Sequence, residues 1–159
     1  MDRLKWKGIY PAVTTQFTQD GTIDYEAFFK HLEFQIESGV HGIILAGTLG
    51  EASSLSQKEK LELLQRTLAH VQGRIPVLLN IAEPSTRDAV WLAEQAKETG
   101  AEGLMLLPPM LYKADKRETV AFHRSIIQAT DLPVIIYNNP VDYGIEITPD
   151  MFEELLKYD

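Results

Sequence analysis

The feature that most constrains this chain is a period. Five short apolar runs, at residues 9–15, 42–46, 76–80, 103–107 and 133–137, recur about every thirty residues and alternate with amphipathic segments. The runs are rich in Ile, Val and Leu without polar alternation, which predicts strands covered on both faces in a parallel sheet. Between them, apolar residues fall at helical spacing. Tyr25, Phe28, Phe29, Leu32, Ile36 and Val40 form the first stripe, and Leu61, Leu64, Leu68 and Val71 the second. Ala89, Leu92, Ala93 and Ala96 form the third, and Val120, Phe122, Ile126 and Ile127 the fourth. A fifth helix is expected to start at Thr148-Pro149 and to bury Phe152, Leu155 and Leu156. Ser56 with Glu59 predicts a capping box for the second helix, and Ser85 a cap for the third.

Repeated β-α units of this length predict an α/β chain of the (β/α)8 barrel type, which takes about 250 residues for eight units. A doubly wound open sheet is the alternative. Against it, the sequence has no Gly-x-Gly-x-x-Gly, no phosphate loop and no basic run at a strand end. The expectation is a single domain over residues 1–159 holding about five units and ending before a sixth strand. Five units leave two unpaired edges and a bare inner face. The last amphipathic pattern has no stop signal, which favours part of a longer chain over two associating copies.

Composition narrows the partners. With 45% hydrophobic and 24% charged residues, 159 residues suffice for one core. A net charge of −8 and a pI near 5.0 argue against nucleic acid or an anionic membrane, both of which need clustered Lys and Arg. No cysteine is present, and His31, His41, His70 and His123 never pair at helical spacing, so no metal site is expected. No apolar stretch approaches ~18 residues and the start lacks a signal-peptide core, so a cytoplasmic protein is the default.

Barrel chemistry sits in loops after the strands. Those loops carry Thr14, Thr15 and Gln16; Gly47-Thr48-Leu49-Gly50-Glu51; Asn80, Glu83 and Ser85; Pro108-Pro109-Met110-Leu111-Tyr112-Lys113; and Tyr137-Asn138-Asn139-Pro140. In Gly-Thr-Leu-Gly the glycines allow a backbone nest for a carboxylate or phosphate, with the Thr48 hydroxyl as a further donor. An ordinary βα turn fits the same residues. Tyr137 fits either a proton relay or a core tyrosine, and Asn138 and Pro140 shape the turn under both. Lys30, Lys58, Lys60, Lys97, Lys116 and Lys157 fall on helices and are expected in solvent. Lys5 and Lys7 precede the first strand, and Lys113 lies in a surface turn, so no lysine ends a strand. Glu51 and Glu83 are the two carboxylates able to approach each other.

Gly47-Thr48-Leu49-Gly50-Glu51 resembles the GTTGE motif, and Tyr137-Asn138-Asn139-Pro140 the YNxP motif, of the dihydrodipicolinate synthase and N-acetylneuraminate lyase family. Val13-Thr14-Thr15, Gly21-Thr22-Ile23-Asp24, Arg74-Ile75-Pro76-Val77 and Pro108-Pro109 fit the same pattern, which extends from about residue 8 to 159. The resemblance implies a (β/α)8 barrel, tetrameric when complete, that binds pyruvate or another 2-keto acid as a lysine Schiff base without a cofactor. It implies that Thr48 and the Leu49 N–H, in the loop framed by Gly47 and Gly50, hold the substrate carboxylate. Tyr137 would move the proton, with the Thr48 hydroxyl in its relay. The lysine would lie about thirty residues after Tyr137, beyond Asp159.

Departures from the family pattern bear on substrate. Leu49 replaces a threonine, and Met110-Leu111 stand where the synthase branch has two tyrosines, with Tyr112 one place late. Asp142 stands where that branch has a carboxylate-binding arginine, and a reversed charge there disfavours the synthase substrate. The loop Asn80-Ile81-Ala82-Glu83-Pro84 lacks that branch's glycines. Glu51, Tyr112, Asn139 and Asp142 are therefore further candidates around the mouth. The expected function is a Schiff-base lyase on a 2-keto acid. The alternatives are a family dehydratase, deaminase or aldolase on a sugar-acid or hydroxyproline-derived 2-keto acid or imine, and a non-catalytic half-barrel that associates.

Overall fold

Strands β1 (Ile43–Leu45), β2 (Val77–Ile81), β3 (Gly103–Leu106) and β4 (Val134–Ile136) lie side by side in chain order, each neighbouring pair parallel. They belong to a computed structural model that describes residues 7–109 and 112–158. Parallel neighbours need a crossover, and helices supply it. These are α1 (Tyr25–Glu37), α2 (Gln57–Val71), α3 (Thr86–Thr99) and α4 (Lys116–Ala129), followed by a single turn, α5 (Pro140–Tyr143), and α6 (Pro149–Leu155). Among the described residues no helix is long and apolar enough to cross a membrane.

The first apolar run does not form the full strand expected of it. It is reduced to one parallel bridge between Ala12 and Ile44. There the Ile44 N–H donates to the Pro11 carbonyl at 2.9 Å and the Val13 N–H to the Ile44 carbonyl at 3.0 Å. The preceding rung would need an N–H on residue 11, which proline lacks. The Ile9 carbonyl accepts instead from the His41 N–H, at 2.8 Å.

Helix starts follow the side chains that cap them. Ser56 and Glu59 form the expected capping box on α2, and Ser85 accepts from the Asp88 N–H on α3. Asp115 and Glu118 cap α4 in the same way. The stripe expected on the last helix is corrected: α6 buries Met151 and Leu155, while Phe152 and Leu156 are exposed.

Successive strand residues point to opposite faces. Ile43, Leu45, Val77, Leu79, Ile81, Leu104 and Leu106 turn toward the helices, where Phe28, Leu32, Leu63, Leu64, Leu92 and Phe122 complete the main core. Ile44, Leu78, Met105 and Leu107 gather on the other face, with Tyr10, Ile135 and Tyr143 packed against them. That inner face is the one a barrel encloses.

Candidate active site

At the C-terminal ends of the strands the inner face opens into a cleft of ≈ 480 Å³. Ile44, Met105, Leu107 and Ile135 form its apolar floor, and Thr48, Leu49, Tyr137 and Tyr143 form its rim. Two of the loops expected to carry chemistry, those after β1 and β4, therefore converge on one cavity.

The loop after β1 is held by its neighbours. The Ala46 carbonyl accepts from the buried Asn80 amide at 2.8 Å, and the Gly50 carbonyl from the buried Thr15 hydroxyl at 2.7 Å. Within the loop, the Glu51 N–H donates to the Thr48 carbonyl at 3.1 Å and the Ala52 N–H to the Gly47 carbonyl at 3.2 Å. Gly47 and Gly50 do not supply the left-handed backbone; Ala46 (φ 52) and Glu51 (φ 57) do. Gly50 is needed for space, since a Cβ there would lie 2.7 Å from the Val13 carbonyl oxygen. Among the described residues no acceptor takes the N–H groups of Thr48 or Leu49. With the Thr48 hydroxyl beside them, these two N–H groups form a donor set at the rim suited to a small carboxylate.

Tyr137 follows β4, and its N–H donates to the Leu106 carbonyl at 2.9 Å. Its side chain is 39% exposed at the cleft, so it is a rim residue and not a core tyrosine. Asn138 and Pro140 shape the following turn as expected. Asn138 clamps Ile147 by donating to its carbonyl at 2.9 Å and accepting from its N–H at 3.0 Å. Asn139 accepts from the Asp142 N–H at 3.3 Å, and Pro140 takes the first helical position of α5.

Tyr143 is the residue the sequence reading missed. Its hydroxyl lies 2.9 Å from Thr48 Oγ1, and its ring meets Tyr137 edge-on with centroids 6.0 Å apart. The signal was present in the spacing Asn139-Pro140-x-x-Tyr143-Gly144. An Asn cap, a Pro at the first helical position and a Gly stop (φ 66) define one helical turn, which brings Tyr143 back over the sheet.

Other expected site residues fall elsewhere. Glu51 and Tyr112 are exposed and do not line the cleft, and Met110 and Leu111 lie outside the described residues. Asp142 is exposed at the rim of the turn, where its carboxylate accepts from the Asn139 amide at 2.6 Å. Among the described residues no cation pairs with it. Glu83, which could have approached Glu51, is buried and turns instead to Lys60 in an ion pair. Lys60, expected in solvent, is 4% exposed with its Nζ 2.5 Å from Glu83. The α2 stripe places it under the loop after β2, and burial of either charge demands the other. Among the described residues no lysine lines the cleft, and no cluster of His, Asp and Glu could hold a metal.

Such a site can bind a small carboxylate through N–H and O–H donors and move protons among hydroxyls over an apolar floor. Comparison with known proteins identifies the family. The sequence profile of the Dihydrodipicolinate synthetase family matches residues 5–159. A probable 2-dehydro-3-deoxy-D-pentonate aldolase, YjhH, of Escherichia coli K12 is 36% identical over 151 residues, covering 95% of this chain and 50% of that protein. A 4-hydroxy-tetrahydrodipicolinate synthase of Archaeoglobus fulgidus is 33% identical over 154 residues, covering 97% and 52%. The crystal structure of YagE, a prophage protein of the dihydrodipicolinic acid synthase family from E. coli K12 in complex with pyruvate, superposes with a TM-score of 0.91 at 29% identity. It covers 96% of this chain and 51% of that one. The chain spans about half the length of the curated relatives it matches.

Proposed function

Because this chain belongs to the dihydrodipicolinate synthetase family of α/β barrels, we propose that it supplies the N-terminal part of a lyase acting on a 2-keto acid. Pyruvate or a close relative would be held as a Schiff base on a lysine. One observation carries the proposal: the free donors of Thr48 and Leu49 face the same apolar cleft as the Tyr137 phenol. No described lysine reaches that cleft, so the nucleophile is assigned to a lysine beyond Asp159. In this reading residues 1–159 form one domain, the N-terminal part of the barrel. Its partners are the 2-keto acid and further copies of the chain.

The chemistry divides among these groups. The Thr48 and Leu49 donors bind the substrate carboxylate and set the keto carbon over the apolar floor. The lysine amine adds to that carbon, and the carbonyl electron pair moves to oxygen. Loss of that oxygen as water needs two protons, which the Tyr137 phenol delivers in turn. Each of the two protons released from nitrogen restores the phenol, leaving the neutral imine. An apolar floor favours these transfers because it excludes competing water.

Asp142, exposed on the turn next to Tyr143, favours a second substrate without a carboxylate near that turn. An unpaired acid there repels an anion. The reading therefore leans toward aldol cleavage or dehydration of a sugar-acid-type 2-keto acid, and the similarity to a probable pentonate aldolase supports it. Kinetics of the complete gene product containing this chain test the roles. Tyr137→Phe is expected to lower kcat about 10²- to 10³-fold, as loss of a general acid does. Thr48→Val is expected to raise the KM for the 2-keto acid about tenfold, with a smaller change in kcat. Unchanged kcat in the first variant and unchanged KM in the second would remove the assignment.

A further inference from the structure

Thr48 is exposed at the cleft rim, where an unassisted hydroxyl rotates freely between solvent and substrate. It carries one proton and two lone pairs. The Tyr143 hydroxyl, 2.9 Å from Thr48 Oγ1, removes that freedom. A phenol is more acidic than an aliphatic alcohol, so the favoured direction of the bond is from Tyr143 to Thr48. With one lone pair so occupied, the Thr48 proton turns away from Tyr143 and toward the cleft. We propose that Tyr143 is a positioning residue that aims the Thr48 hydroxyl, from within the same chain, at the substrate carboxylate. The proposal rests on the reading that Thr48 faces that carboxylate.

Tyr143 is built to be stationary. Its N–H donates to the Asn139 carbonyl at 3.1 Å, and the next N–H, of Gly144, to the Pro140 carbonyl at 3.0 Å. Its ring rests on the inner-face cluster and meets Tyr137 at 61°. The Thr48 loop does not need the Tyr143 hydroxyl to hold its shape, because Asn80 and Thr15 fasten both of its ends. Removing one oxygen from Tyr143 therefore changes the direction of the Thr48 proton without unmaking the loop. The two residues are 95 positions apart, and the bond joins the loop after β1 to the turn after β4.

The test uses the complete gene product and propionate, a carboxylate with no carbonyl and so unable to form an imine. Isothermal titration is expected to show that Tyr143→Phe weakens propionate binding about tenfold, close to the loss in Thr48→Val. The double variant is expected to bind no worse than Thr48→Val alone, as for two residues acting through one bond. The melting temperature of Tyr143→Phe is expected to match the parent, and its KM for a 2-keto acid to rise more than its kcat falls. Parent-like propionate binding by Tyr143→Phe, additive losses in the double variant, or no propionate binding by the parent would each overturn the assignment. Borohydride trapping with pyruvate is run alongside. A missing adduct with the propionate pattern intact removes the Schiff base and leaves Tyr143 in place.

Discussion

Lys60 and Glu83 lie 23 residues apart and are both buried, with 2.5 Å between charged atoms. The Gln57 amide, 3.4 Å from the second Glu83 oxygen, gives the carboxylate a further donor. Removing one partner strands the other charge away from water. Lys60→Met is therefore expected to lower stability by about 3–5 kcal/mol, and adding Glu83→Leu to recover most of it. Urea unfolding of the parent and the two variants measures both. The pair was not legible in the sequence, where a lysine on an amphipathic helix looks solvated unless its partner is known. Thr48 and Tyr137 were legible because an apolar run places the residue after it at the barrel mouth. The turn that carries Tyr143 was readable from its cap and stop, but its bond to Thr48 was not, because that partner lies 95 positions upstream. At Gly50 the residue type was readable but its cause was not: the Val13 backbone requires the missing Cβ, not the torsion angle.

The elements follow local chemistry where caps and breakers act within one turn. Ser56, Ser85 and Pro149 began their helices as expected. Pro11 shortened the first strand to a bridge, a consequence readable only once its register against Ile44 is known. In α6 the stripe was misassigned because the buried side is set by α4 packing against it, with Val120 beside Met151 and Leu155. Helix α4 carries a pH consequence of its own. His123 is fully buried, with Nδ1 2.8 Å from the Thr119 carbonyl, and Nε2 has no partner among the described residues. Burial holds its pKa below the ordinary 6.5, and the Thr119 carbonyl offsets this only in part. The unfolded chain therefore binds the proton first, and stability falls as pH drops below about 6.5 toward the lower folded value. His123→Leu is expected to flatten that part of the profile. The carboxylates of half-buried Glu33, held down to about 2 by Arg74 and His70, and of exposed Asp150, held down to about 2 by Lys116 and Thr148, act at lower pH. Their contribution is present above their ordinary values and is lost as pH falls toward 2, and salt weakens it. Urea midpoints between pH 8 and 3 separate the two stages.

At the scale of the whole molecule, the β-α period was enough to give a parallel sheet with helices outside and a cleft at the strand ends. The inner face, which five units were expected to leave bare, carries its own small cluster and the cleft above it. The period could not show which hydroxyls meet across that cleft, because the meeting depends on a turn and a loop from opposite ends of the sheet. In the proposed function this cleft serves a Schiff base formed on a lysine outside these 159 residues. Borohydride reduction of the complete gene product with pyruvate and related 2-keto acids, followed by peptide mass spectrometry, tests it most directly. One reduced adduct is expected, on a lysine in a strand beyond Asp159, formed more slowly in Tyr137→Phe. No adduct with any 2-keto acid, or an adduct on Lys113 or another lysine of this chain, would contradict it.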